Sequence, residues 1–135
     1  MTVRETPTQR VLVVDDDPLS RLLLTSMLTA LDCQADEAAS GAEALVILEQ
    51  REFSRLLVDI HMPGVTGIEL AATLRASPGL NREIPIVAVS GDLSRTLTQY
   101  HQVGIDGLIE KPISFHSVRV SLETVRHDGG QSAGP

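Results

Sequence analysis

The stretch Val11-Leu12-Val13-Val14-Asp15-Asp16-Asp17-Pro18 changes character at one peptide bond: four apolar residues give way to three consecutive carboxylates. A short apolar run rich in β-branched side chains and lacking polar alternation fits a strand buried on both faces. Asp17 then suits a helix N-cap, with Pro18 at the first helical position, where its missing N–H costs nothing. The segment therefore reads as a strand, an acidic turn and the start of a helix.

The same grammar recurs along the chain. Further apolar runs lie at Leu56 to Val58, Ile86 to Val89 and Leu108 to Ile109, and the less apolar Gln34 to Ala38 suits an edge strand. Helical spacing fills the intervals. Leu19, Leu22, Leu23, Met27, Ala30 and Leu31 are expected on one face of the first helix. Ser40 and Glu43 have the spacing of a capping box, followed by Ala44, Leu45 and Leu48. Gly67 introduces Ile68, Leu70, Ala71 and Leu74, which the Ser77-Pro78-Gly79 turn ends. A helix with Leu93, Leu97 and Tyr100 is expected to stop at Gly104, and Ser114 to open a last one with Phe115, Val118, Leu122 and Val125 inward.

Strand–helix alternation repeated five times implies right-handed crossovers and a parallel sheet covered on both faces. The expected class is α/β, a flavodoxin-like (βα)5 doubly wound sheet with strand order 2-1-3-4-5. An eight-unit barrel needs about 250 residues, and the chain has 135. One domain over residues 8–127 is expected, with 128–135, rich in Gly, as a flexible tail or linker stump.

Composition narrows the function. Eleven Lys and Arg against eighteen Asp and Glu leave a net charge of −7, which opposes binding to nucleic acid or an anionic membrane. The aromatics are Phe53, Tyr100 and Phe115, too few for a base-stacking platform. Cys33 is the one cysteine, so neither an internal disulfide nor a Cys-rich zinc site can form, and a buried hydrophobe is its plainest use. No apolar run is long enough to span a bilayer, and Met1 to Arg10 do not read as a secretory leader. A soluble, cytoplasmic protein is expected.

The polar residues that follow the runs carry the chemistry. Asp15, Asp16 and Asp17 follow the first, Asp59 the third, Ser90 the fourth, and Glu110 and Lys111 the last. Strands of a parallel sheet all point one way, so these groups collect at the carboxyl edge, where ligands of such folds bind. Each has a plainer use alone: Asp17 as a cap, Asp59 as a loop acid, Ser90 as a turn residue, Lys111 as a surface lysine before Pro112. Together they pose an electrostatic problem, because two like charges 4 Å apart repel by about 4 kcal/mol at an effective dielectric near 20. Lys111 offsets one charge, and Mg²⁺, with Mn²⁺ able to take its place, offsets two through Asp15, Asp16 and Asp59. A metal, an ammonium and the Ser90 hydroxyl around Asp59 make a receptor for a phosphoryl group, with Asp59 the acceptor that becomes an aspartyl phosphate.

The motifs Val-Val-Asp-Asp-Asp-Pro at 13–18, Val-Asp-Ile-His-Met-Pro-Gly at 58–64 with Gly67, Val-Ser-Gly at 89–91 and Lys-Pro-Ile at 111–113 resemble those of response-regulator receiver domains. The resemblance implies a two-component or phosphorelay protein that is not otherwise an enzyme. Asp59 would accept a phosphoryl group from a phosphohistidine on a sensor histidine kinase or histidine phosphotransfer protein, and the switched domain would control a further partner. Asp16 and Asp59 would bind Mg²⁺ directly and Asp15 through water, with the His61 backbone carbonyl as another ligand. Lys111 would pair with the phosphoryl group, the Lys111-Pro112 bond would be cis, and Ser90 would turn onto the phosphoryl oxygen. His61 and Asp92 would border the path of the hydrolytic water. Leu108 stands where many receivers carry an aromatic residue, so the output is expected to run through the loop after Ser90 and the helix bearing Tyr100. Thr66 stands where an Asp is common.

Two other readings use the same residues. An interaction module could keep this fold without phosphorylation. A haloacid-dehalogenase-like phosphatase would use Asp15 as nucleophile and Asp17 as acid, but needs an acidic pair after the lysine, where only Glu123 and Asp128 occur.

Overall fold

Four of the five strands are apolar on both faces, so alternate side chains must be covered from both sides. In the computed structural model, which describes residues 8–92 and 101–126, the three central strands are covered on both faces, while the edge strand that carries Leu108 and Ile109 is buried at Ile109 and half-buried at Leu108. The strands are β1 (Arg10–Val14), β2 (Gln34–Ala38), β3 (Arg55–Asp59), β4 (Ile86–Ser90) and β5 (Gly107–Glu110). The α-helices are α1 (Pro18–Ala30), α2 (Gly41–Gln50), α3 (Gly67–Ala76) and α4 (Phe115–Ser121), with a 3-10 turn at His101–Val103. The sheet is parallel throughout, in the order β2-β1-β3-β4-β5, as expected.

The two-residue period of the strands divides the core. Leu12, Val14, Leu56, Val58, Ile86 and Ala88 face Ala44 and Leu48 of α2 and Leu70, Ala71 and Leu74 of α3. Val11, Val13, Leu57, Val87, Val89 and Ile109 face Leu24 and Leu28 of α1 and Val118 of α4, with Cys33 beside them. Burial raises the pKa of the Cys33 thiol, which keeps it protonated as a small hydrophobe.

Two helical faces differ from expectation. In α1 the buried residues are Leu24 and Leu28, flanked by Met27 and Leu31, whereas Leu19, Leu22 and Leu23 are 71%, 60% and 43% exposed and Ala30 is also exposed. Leu22-Leu23-Leu24 spreads over more than half a turn, so spacing alone admits two faces, and the fit against Val11, Val13 and Leu57 selects Leu24. In α4, Val118 is buried with Leu122 beside it, while Phe115 and Val125 are exposed. Phe115 belongs to the first turn, at the strands' carboxyl edge, and the helix ends at Ser121, before Val125. Leu93, Leu97 and Tyr100, and the tail 128–135, lie outside the described residues.

The caps also differ in detail. Ser40 Oγ accepts from the Glu43 N–H, but the Glu43 carboxylate accepts from Ala39, one residue further back than a reciprocal box requires. Full boxes are at Ser114, which exchanges bonds with Ser117, and at Thr66, whose Oγ1 accepts from Glu69 N while Glu69 Oε1 accepts from Thr66 N. Thr66 therefore does the capping work that an Asp could do there.

The α1 face is open to direct test. Leu28→Ala should cost about 2–5 kcal/mol of unfolding free energy. Leu22→Ala should stay within about 0.5 kcal/mol. Urea unfolding of both variants checks the assignment, and equal losses would contradict it.

Candidate functional site

The strand ladders extend one residue past the strands and fix the site's backbone. Asp15 N donates to Ala38 O at 3.2 Å, Ile60 N to Val89 O at 3.0 Å, and Lys111 N to Ser90 O at 2.9 Å. In register, Asp59 is paired with Val89 and Ser90 with Glu110. Asp15, Asp59, Ser90 and Lys111 thus stand on or beside the last rungs of four adjacent strands. Gly67 brings α3 against this edge: a Cβ there would lie 2.5 Å from the Asp59 carbonyl oxygen, closer than any side chain tolerates.

One carboxylate oxygen from each of Asp15, Asp16 and Asp59 lies within 4.8 Å of the other two. Asp15 and Asp59 are 1% and 4% exposed, and Asp16 opens to solvent. Asp59 Oδ1 accepts from the His61 N–H at 3.1 Å, and Lys111 Nζ stands 3.5 Å from Asp59 Oδ2. Asp15 Oδ1 accepts from the Asp17 N–H at 2.9 Å. Among the described residues, no donor reaches the buried Asp15 Oδ2. Burial raises the Asp15 pKa above its ordinary value of 3.8; Asp59 and Asp16 add to the rise, against the Asp17 N–H and Lys111. An oxygen-rich pocket with excess negative charge and a partnerless buried oxygen fits a hard divalent cation.

The other expected residues divide clearly. Asp17 stays out of the cluster: it caps α1 through the Leu19 N–H and Ser20 Oγ, bonds that hold its carboxyl below the usual range. Ser90 is buried, and its Oγ accepts from the Asp92 N–H at 3.0 Å. The His61 side chain points to solvent while its N–H serves Asp59. The Lys111-Pro112 bond is cis. Leu108 is half-buried on β5. Two neighbours had no sequence signal of their own: Arg21 donates to the Asp15 carbonyl and pairs with Glu37. A cation six residues beyond Asp15, on the helix that starts there, is the only hint the chain offers.

A family model for the response regulator receiver domain matches residues 11–123. The chain belongs to that family. It is 32% identical over 117 residues to the sensor histidine kinase AruS of Pseudomonas aeruginosa, covering 85% of this chain and 12% of that protein. It is 30% identical over 118 residues to the chemotaxis protein CheY of the same organism, covering 86% of this chain and 94% of CheY. Among solved structures, the response regulator TrrA of Thermotoga maritima in complex with Mg²⁺-BeF superimposes with a TM-score of 0.77 at 26% identity, covering 86% of this chain and 97% of TrrA. The chain thus spans about an eighth of AruS and nearly all of CheY.

The receiver family is one of phosphoacceptor domains in two-component signalling. The phosphatase alternative falls with this membership, and geometry agrees. Glu123 follows α4 beside Thr124, whose carbonyl is bonded to Arg55 at the start of β3, so it lies at the opposite edge of the sheet from Asp15. No helix among the described residues is long and apolar enough to cross a membrane.

The raised Asp15 pKa has a measurable sign. The native state holds this proton more tightly than the unfolded chain, so the linked stability is complete below 3.8 and is lost as pH rises through the higher folded value. In metal-free protein, Asp15→Asn should therefore raise the urea midpoint at neutral pH, with the gain shrinking as pH falls toward 3.8. A gain independent of pH would contradict the assignment.

Proposed function

We propose that this receiver takes a phosphoryl group from a phosphohistidine onto Asp59 and changes conformation to control a partner protein. The observation that carries the reading is the pocket itself: three carboxylate oxygens within 4.8 Å, the Asp15 Oδ2 without a donor among the described residues, and Lys111 3.5 Å from Asp59. Asp15, Asp16, Asp59 and the His61 backbone carbonyl would hold Mg²⁺, or Mn²⁺ in its place, which would neutralise charge on the phosphoryl oxygens. The similar TrrA carries Mg²⁺-BeF.

In the transfer, an Asp59 carboxylate oxygen bonds to phosphorus as the phosphorus–nitrogen bond of the donor breaks. The bonding pair stays on the imidazole nitrogen. Lys111, already beside Asp59 Oδ2, moves its pairing to a phosphoryl oxygen, and the Ser90 hydroxyl donates to another. That turn of Ser90 changes its bond to the Asp92 N–H and so draws on the loop that follows, the start of the route toward the segment bearing Tyr100. Leu108 offers no polar ring to share the motion. His61 and Asp92 flank the approach of water and set how long the phosphoryl group survives. The domain would comprise residues 8–127 and work in the cytoplasm.

The donor is a sensor histidine kinase or a histidine phosphotransfer protein, in keeping with the match to AruS. It must bring an imidazole to the carboxyl edge. There, Leu19, Leu22 and Leu23 present an exposed apolar stripe on α1, beginning three residues after Asp16. This stripe would serve as the donor's docking surface beside the pocket.

With Mg²⁺ and acetyl phosphate, intact mass should rise by one phosphoryl group, and Asp59→Asn or chelation should abolish the rise. An adduct that survives Asp59→Asn would overturn the assignment, and no adduct on the native chain would favour an unphosphorylated interaction module. Leu19→Asp and Leu22→Asp should slow transfer from a protein phosphohistidine about tenfold or more while leaving the acetyl phosphate reaction unchanged. Equal effects on both donors would argue against the docking stripe.

A further inference from the structure

Arg21 lies on α1, and its side chain returns to the strand ends. Nη1 donates to the Asp15 carbonyl oxygen at 2.8 Å, and Nε donates to Glu37 Oε1 at 2.9 Å. The Arg21 side chain is largely buried, whereas Glu37 is half exposed. The oxygen that it holds belongs to the peptide joining Asp15 to Asp16, the two adjacent acids of the pocket. On the other side of Asp15, the N–H is bonded to Ala38 O, the residue after Glu37 in β2. Both backbone polar groups of Asp15 are therefore tied to β2, one directly and one through a guanidinium that β2 itself anchors. With Oδ1 committed to the Asp17 N–H, the residue has little freedom left.

We propose that Arg21, anchored by Glu37, is a positioning residue for the divalent cation pocket. It fixes the Asp15–Asp16 peptide so that both carboxylates start from the geometry a cation needs, and it contributes no ligand atom itself. The proposal rests on the metal-binding reading above.

Simple electrostatics argues the opposite sign. A guanidinium beside an acidic pocket repels a divalent cation, so its removal should tighten binding if charge were all that mattered. Positioning predicts weaker binding, because a ligand pair released from its support must be ordered again each time the ion binds. The two accounts cannot both describe the same variant. The split between the Arg21 contacts also separates them: a lysine keeps the charge but cannot reproduce a planar fork that bonds a carbonyl and a carboxylate at once.

Mn²⁺ binding by water-proton relaxation, with melting temperature measured alongside, tests this on the full chain. Arg21→Met should weaken Mn²⁺ affinity about tenfold. Arg21→Lys should recover only part of the loss, and Glu37→Gln should weaken binding in the same direction by a smaller factor. In the acetyl phosphate reaction, these variants should need more Mg²⁺ for half-maximal rate yet regain the native rate at saturation. A merely structural role would lower the melting temperature without that shift. If Arg21→Met fails to fold, Glu37→Gln and Arg21→Lys carry the test. Unchanged or tighter Mn²⁺ binding in the variants overturns the role of Arg21, whereas a native chain that binds no Mn²⁺ overturns the metal reading beneath it.

Discussion

Mutual repulsion among Asp15, Asp16 and Asp59 is the constraint around which this domain is arranged, because the sheet leaves the acids no way to separate. Each is held within a residue or two of a ladder hydrogen bond, and those ladders are continuous with the core: Asp15 N to Ala38 O, Ile60 N to Val89 O. Moving one carboxylate away would break backbone bonds in a sheet whose central strands, β1, β3 and β4, are buried on both faces. The core therefore supplies the rigidity that keeps like charges together, in a cluster whose oxygens fit a hard cation. Lys111 at 3.5 Å from Asp59 offsets only part of the excess negative charge.

The opposite edge of the sheet shows what the same fold does with charge when no ligand is required. Asp106, whose side chain is fully buried, pairs with Arg75 and Arg126 and accepts the Ile86 N–H. Arg55 gives its guanidinium to Gln9, Ser121 and Thr124. Burial lowers the Arg75 pKa to about 10, a value that still leaves it charged at neutral pH. There Asp106, Arg75, Arg126 and Arg55 all find protein partners among the described residues, and the loops and the end of α4 are bound down. At the carboxyl edge Asp15 Oδ2 has none among the described residues. The contrast between a satisfied edge and an unsatisfied one separates scaffold from site.

Much of this was legible along the chain, and the reasons are specific. Apolar runs too short for helices, each ending on Asp, Ser or Lys, placed the strands and the strand-end acids together, because a parallel sheet converts sequence position into edge position. Asp17 read as a cap and is one, since Pro18 constrains the turn around it. The α1 face did not read correctly: six apolar residues at mixed spacing leave Leu19, Leu22 and Leu23 competing with Leu24 and Leu28, and only the opposing surface of β1 and β3 decides. Phe115 and Val125 misled for a related reason, because helical period says which residues align but not how far the helix runs or where the sheet beneath it stops. Thr66, standing where an Asp is common, keeps a full capping role through its reciprocal bonds with Glu69.

By itself the sequence determined the alternation of strands and helices and the parallel edge where Asp15, Asp16, Asp59, Ser90 and Lys111 gather, while its motifs carried the resemblance to receiver domains. The alternation and the edge follow from local rules, a two-residue or 3.6-residue period and the residue type at each run's end. Tertiary structure alone decided which leucines of α1 remain outside, how near α3 approaches Asp59 across Gly67, and that Arg21 and Glu37 brace the Asp15 carbonyl. Those facts depend on side chains meeting across elements distant in the chain, and no local pattern encodes the distance between them.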